Sequence, residues 1–242
     1  MRSIYFLSIR QLTGKWRLLI LVVLAALPAL VGVLVTVGSK RPTPARLDDA
    51  LLDGLMASAV LPIIVLAVAT AAFGNELEDK TLGNLTLTPL ERWRIVLAKL
   101  AAALSVALPP LVVGTVGGVL IAFDRAGFGG GGRAALTAGL GMAIGALLYS
   151  TVFLWAGLVT AHPLSFGLLY VFVWEGLFST FVNGIKYLSI RQYTLGLVNA
   201  LDPPRFADRH LVGTGTAAAG AALVFAVFFF LAIRRLRTMD VP

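Results

Sequence analysis

Six long apolar stretches alternate with shorter polar ones along this chain: about 18–38, 54–74, 96–123, 134–160, 164–181 and 211–233. Each is close to the ~20 residues that a helix needs to cross a bilayer. The pattern predicts an all-α membrane protein of six transmembrane helices in a single domain over 1–242. Three stretches outside the spans carry their own periodicity. At the start, Tyr5, Ile9, Leu12 and Trp16 step by four, three and four, and so share a helical face. Arg2, Lys15 and Arg17 flank that face with charge, and a Trp suits the headgroup level. An amphipathic interfacial helix over 1–17 is expected, turning into the first span. Near the other end, 183–210 is too apolar for a free loop (Ile185, Leu188, Ile190, Leu195, Val198) and too broken to span. Ser189 with Gln192 has capping-box spacing, and Asp202-Pro203-Pro204 is a stop signal. Short re-entrant helices buried against protein are expected there.

The third stretch, 75–99, is densely charged and lies between two spans. It holds two candidate helix starts. Asn75 and Glu78 have capping spacing, with Glu76 and Asp79 adding negative charge in the first turn. Thr88, Pro89 and Glu91 form a capping box with proline at the first helical position. A short interfacial helix bearing Leu82 and Leu85 on one face, a break at 86–89 and a long helix entering the third span are expected.

Within the spans, Pro28 and Pro62 are isolated, whereas the pair Pro109-Pro110 removes two backbone donors and is expected to bend or break its helix. The glycine-rich segment 124–133 reads as a flexible turn. Gly139, Gly141 and Gly145 make a stripe that lets another helix approach. His162, in a very short turn, reads as an interfacial residue rather than a catalyst. Glu175 stands out, because an acid deep in an apolar, aromatic-rich span is costly unless paired or facing a cavity. It either borders a transport path, with Tyr170 and Phe178 nearby in sequence, or is structural, bonded to a tyrosine or a helix end near the far surface.

Composition narrows the function. The mean hydropathy is +0.90 and 13% of the residues are charged, against about 25% in soluble domains. The absence of cysteine excludes disulfides and thiolate metal sites. Asp48, Asp49 and Asp53 read as a solvated cluster, not a metal site. A net charge of +8 is accounted for by basic residues that flank spans and face anionic lipid, with no nucleic acid implied. Six spans and basic chain ends place both termini in the cytoplasm. Neither a phosphate-binding loop nor a Ser-His-Asp or His-Glu-x-x-His set occurs, so no enzyme is expected and no cofactor in this chain.

The charged stretch resembles the permease subunits of ABC-2 type ATP-binding-cassette exporters. Those carry, after the second span, a pattern like E-x-E-x-G-T-x-x-x-L-x-x-x-P-x-x-R and then a lysine. Glu76, Glu78, Thr81, Leu85, Pro89, Arg92 and Lys99 match it, and Lys80 replaces the usual glycine. The resemblance implies that 75–99 is a coupling segment docking on a separate cytoplasmic ABC ATPase, with two permeases and two ATPases in the assembly. ATP and Mg would sit on the partner. Glu76, Glu78 and Asp79 would meet basic groups there, Thr81 would hold its place in the motif, Leu82 and Leu85 would supply apolar anchorage, and Pro89 and Arg92 would set the angle of the third span. The path would lie between two copies, lined by spans one, two and five. It implies export of a hydrophobic or amphipathic substrate across a prokaryotic cytoplasmic membrane. A secondary transporter using Glu175, and a non-transporting scaffold or assembly protein, are the alternatives.

Overall fold

The computed structural model describes residues 2–38, 43–78, 91–160, 162–178, 189–203 and 211–239, with side chains over 4–38, 43–74, 91–160, 162–175, 189–203 and 211–239. The regular elements among the described residues are all helices: α1 (Arg2–Leu12), α2 (Lys15–Gly38), α3 (Pro44–Asp48), π1 (Asp49–Val60), α4 (Leu61–Glu78), α5 (Arg92–Ala126), α6 (Gly131–Val159), α7 (Pro163–Leu169), π2 (Tyr170–Phe178), α8 (Ile190–Leu201) and α9 (Thr214–Thr238). Among these residues, five helical stretches are long and apolar enough to cross a membrane: α2, the continuous run from α3 to Gly74 of α4, α5, α6 and α9. The remaining expected span, 164–181, appears as α7 running into π2, whose described residues are apolar but fewer than a bilayer crossing requires.

α6 is the centre of the bundle. It packs against α5, α4, α9 and α8, and its most apolar window is 72% buried, against 17% for α2 and for α9. Buried small residues make that possible. A Cβ on Gly145 would stand 2.7 Å from both Leu61 Cδ2 and Thr194 Oγ1, and one on Gly141 would overlap Val198. Gly141 and Gly145 therefore receive α8 and the start of α4, while Gly139 faces Val112 and Val116 of α5. α2 and α9 instead leave Leu19, Val23, Leu30 and Leu34, and Leu223 and Phe230, exposed, as helices facing lipid or another protein do.

Several expected boundaries move. The stripe of the first helix ends at Leu12, because Thr13 and Gly14 separate α1 from α2 and Trp16 lies on α2, 80% exposed. α1 turns Ser8 and Leu12 inward, and its Tyr5 hydroxyl meets Ser105 Oγ of α5 at 2.8 Å. The segment expected as a polar connection before residue 54 is already helical from Pro44. Thr43 caps it by accepting the Arg46 amide at 3.3 Å, and Leu47, Leu51 and Leu52 bury one face. Asn75 starts no helix, because α4 runs unbroken to Glu78. The third span begins at Arg92, with Glu91 as its extended N-cap residue, so the helix expected from Pro89 is not formed at Glu91. Glu91 accepts instead from Trp93 Nε1 and pairs with Arg94 Nε, at 2.8 and 2.9 Å. α5 runs through Pro109-Pro110 without a break. The glycine-rich connection closes within four residues, with Gly127 and Gly130 at φ +71° and +77°, where a Cβ would be strained.

Candidate functional site

Two groups of residues stand out, one at each end of the bundle. The start of α2, the end of α4 and the start of α7 meet around one cleft, and Arg235 Nε near the end of α9 donates to the Leu158 carbonyl at the end of α6. This end therefore holds the start of α2 and the end of α9. The opposite end holds α8.

At the α8 end the wide turns of π1 and π2 each carry an acid to the first turn of α8. Glu175, on π2, is fully buried. One of its oxygens accepts the Tyr170 hydroxyl at 3.1 Å and the Ile190 amide at 2.9 Å, and the other accepts the Ser189 hydroxyl. Ser189 in turn accepts the Gln192 amide at 3.2 Å, so it is the helix cap that its sequence spacing predicts. The carboxylate thus sits at the positive end of α8, where amide donors and the helix dipole favour an anion. The buried Tyr149 hydroxyl lies close to this carboxylate. Tyr149 stacks on Phe153 at 5.7 Å, and Phe153 meets Tyr170 edge-on at 6.2 Å. One residue along α8, Arg191 reaches Asp53 of π1 through Nη2 at 2.6 Å and Nε at 2.8 Å. Long π-helical turns are rare, and here they aim both acids at one helix end. Among the described residues no group of three or more His, Asp or Glu is placed to hold a metal ion.

At the terminal end Lys99 of α5 is fully buried. Its ammonium donates to the Ala72 carbonyl of α4 and lies 4.7 Å from the centre of the Phe73 ring. A buried cation is tolerable when carbonyl and aromatic groups replace its water. The effect here is to tie the last turns of α4 to the first turns of α5, on either side of residues 79–90. Beside this joint, α2, α4 and α7 enclose a cleft of about 460 Å³. Its α4 wall is Ala67, Thr70, Ala71 and Gly74, one face of small residues at helical spacing, and Arg17 and His162 lie at its rim.

The predicted coupling residues fall largely beyond what the structure describes. Glu76 and Glu78 are on the last turn of α4, with backbone alone described. Asp79, Thr81, Leu82, Leu85 and Pro89 lie outside the described residues. Arg92 is the first residue of α5 and is half-buried. Tyr170 and Glu175 are brought together, and Phe178 ends π2 with its side chain outside the described set. Sequence reasoning left three features unseen: the Asp53–Arg191 pair, the Lys99 clamp and the Arg17–His162 cleft. The first joins residues 138 apart in sequence and has no local signal. Lys99 is visible only as part of a motif, and the small residues of the cleft wall read as ordinary span.

No curated protein matches the chain. A family model described as ABC-2 family transporter protein matches residues 9–174, from α1 through most of π2. That covers more than half of the chain, which therefore belongs to the ABC-2 family of membrane transporter proteins.

Proposed function

We propose that this chain is the permease subunit of an ATP-driven exporter that moves a hydrophobic or amphipathic substrate across the cytoplasmic membrane of a prokaryote. Family membership supplies the transport setting. The observation that carries the reading further is the cleft between α2, α4 and α7, at the end of the bundle where α4 leaves for residues 79–90. In this reading both termini are cytoplasmic and the whole of 1–242 is one transmembrane domain. α1 lies at the interface, and α8 belongs to the re-entrant segment at the outer surface.

The working unit has two permease copies and two cytoplasmic ABC ATPase subunits, which hold ATP and Mg. Residues 75–99 couple them. Glu76, Glu78, Asp79 and Thr81 form the polar part of the contact, Leu82 and Leu85 its apolar anchor, and Pro89 and Arg92 the joint to α5. Tyr170, Glu175 and Phe178 border the outer end of the path. This chain performs no bond chemistry of its own.

A secondary transporter needs a buried acid free to exchange its proton or ion. Glu175 is engaged by three donors, which disfavours that alternative. The test is purification from native membranes in mild detergent, followed by ATPase assay. A stoichiometric ATPase should accompany the chain, and Leu82→Asp or Leu85→Asp should abolish substrate-stimulated turnover. An intact chain that carries no ATPase, or normal stimulation in both variants, would refute the reading.

A further inference from the structure

Pro109 and Pro110 take two donors out of the middle of α5. Neither has an N–H, so the carbonyls of Ser105 and Val106 are left without the amides that bond them in a helix, although α5 runs on unbroken. Both residues line a recess of about 440 Å³ between α1, α2 and α5, together with Thr13. The hydroxyl protons in this group are already spent. Thr13 Oγ1 donates to the Ile9 carbonyl at 2.9 Å, and Ser105 Oγ donates to the Ala101 carbonyl at 2.8 Å. The Tyr5 hydroxyl, 2.8 Å from Ser105 Oγ, must then be the donor in that contact. The group has acceptors to spare, and the two carbonyls are the strongest of them.

A second recess of about 340 Å³ continues from the first, because Val22, Pro110 and Val113 line both. The rest of its wall is small residues, and a Cβ on Gly117 would meet nothing within 4 Å. Together they make one apolar furrow along the contact of α2 with α5. The register of the two helices sets its depth. Gly114 lies against Ala25, Gly118 against Pro28 and Ala122 against Gly32, so the helices run parallel and Ser105 is level with the first turn of α2. Lys15 and Trp16 are exposed on that turn, as residues at a headgroup level are. From Ser105 to Gly118 the helix rises about 20 Å, comparable to the ~15 Å of hydrocarbon in one leaflet. The furrow therefore has acceptors at the interface and an apolar course one leaflet deep.

We propose that the furrow holds one acyl chain of a phospholipid whose head carries a primary ammonium. The ammonium donates to the carbonyls of Ser105 and Val106, and the chain lies over Pro110 and Gly117. A primary ammonium brings N–H donors together with a positive charge, and charge-assisted bonds to an acceptor exceed neutral ones. Carbonyls stripped of their helical donors are costly at the edge of the hydrocarbon unless a ligand bonds them. A quaternary ammonium has the same charge and no N–H, so it fits the furrow but not the acceptors. The inference requires that α2 and α5 cross a bilayer and is independent of the exporter role.

The full chain, delipidated in mild detergent, is titrated with dioleoyl phosphatidylethanolamine, its N-methyl and N,N-dimethyl derivatives, and dioleoyl phosphatidylcholine. Native mass spectrometry counts the first bound lipid. Affinity should fall stepwise with each N–H lost, by about tenfold from the first probe to the last. Pro109→Ala with Pro110→Ala returns two amides to α5, which take up the carbonyls, and should bring all four probes to the affinity of phosphatidylcholine. Gly117→Leu fills the furrow at a point where a Cβ has room, and should weaken all four severalfold. Leu223→Ala, on the exposed face of α9, should change none of them. Thermal unfolding shows which variants are folded. Equal affinity for the four probes, a preference that survives both proline substitutions in folded protein, or binding unchanged by Gly117→Leu would overturn the proposal. Loss of a dimer mass rather than of lipid in Gly117→Leu would assign the furrow to a second copy of the chain and overturn it equally. The lipid count is read without an ATPase, so this site and the exporter role fail separately.

Discussion

Replacing Glu175 with glutamine keeps the shape of the side chain and removes its charge, which makes the consequence calculable. One carboxylate oxygen accepts from Tyr170 and from the Ile190 amide, and a glutamine carbonyl can do the same with neutral strength. The other oxygen accepts from Ser189, and the amide that replaces it is a donor. Ser189 must then turn its proton away while still accepting from Gln192. Hydrogen bonds to charged groups contribute about 1.5–3 kcal/mol each, against about 1 kcal/mol for neutral ones. An anion at a helix N-terminus adds about 0.3–1 kcal/mol, more where partly buried. Weakening two bonds, reversing a third and removing the anion should together cost about 2–3 kcal/mol. In a chain of this size that corresponds to a fall in Tm of roughly 4–12 °C. Glu175→Ala leaves three buried donors without their acceptor, at about 1–3 kcal/mol each. That approaches the whole stability of many proteins, ~5–15 kcal/mol, so little folded Glu175→Ala protein should accumulate.

The assay is equilibrium unfolding in mixed micelles, followed by tryptophan fluorescence, on the parent, Glu175→Gln, Ser189→Ala and the double variant. Glu175 and Ser189 should couple by about 1–3 kcal/mol, as contacting members of one buried network do. A Glu175→Gln protein that unfolds within a degree of the parent, with no coupling to Ser189, would refute the view that this carboxylate anchors α8. The role of Glu175 along a path is separable: transport by Glu175→Gln, measured where both proteins are fully folded, reports it independently of stability.

Two further outcomes follow from the same geometry. Asp53 and Arg191 are partly buried, 31% and 15% exposed, and share two contacts, so their double-mutant cycle should give a coupling of about 1–2 kcal/mol, above the usual surface pair; a value near zero would place the pair among decorative surface contacts. Lys99→Met removes a buried charge together with its desolvation cost, so stability should stay within about 1 kcal/mol while substrate-stimulated ATP turnover falls severalfold in the reconstituted assembly, and unchanged turnover would show that the α4–α5 joint is structural only.

The helices themselves were legible because burial in a bilayer demands long apolar runs, and five of those runs are helices of spanning length. Their ends were not, since a capping residue signals a start only where no helix is already running. Asn75 has good capping chemistry but sits inside α4, and Thr43-Pro44, with the same chemistry, opens a helix in a stretch whose prolines and acids suggest a loop. Burial of Leu47, Leu51 and Leu52 tips the balance there, and that depends on where the rest of the chain packs. The π winding of 49–60 and 170–178 has no pattern in apolar periodicity that would separate it from an α-helix. Two readings of Glu175 are open in the sequence, a path residue or an acid bonded to a tyrosine and a helix end. Its contacts with Tyr170 and with Ser189 and Ile190 are those of the second, and they leave its relation to a path open to the transport measurement above.

The two ends of the bundle are not independent, because the same elements reach both. The run from α3 to α4 carries Asp53 at one end and the cleft wall of Thr70 to Gly74 at the other. The run from His162 through π2 carries the cleft rim at its start and Glu175 near its end. α8 is held by both acids and is seated in turn on the glycine stripe of α6, the most buried helix. Widening the cleft by moving α4 away from α7 must therefore either disturb the contacts at α8 or be absorbed between the two ends. The π turns lie in that interval on both runs, and their less regular hydrogen bonding is the natural place for such a change. Lys99 joins α4 to α5 at the terminal end, and α2 packs mainly on α5. In the proposed permease, a push on residues 79–90 would therefore reach α4 and α5 together and carry α2 with them. A force applied at that connection would displace α2, α4 and α5 relative to α7, with α8 and its two acids as the fixed end of the lever.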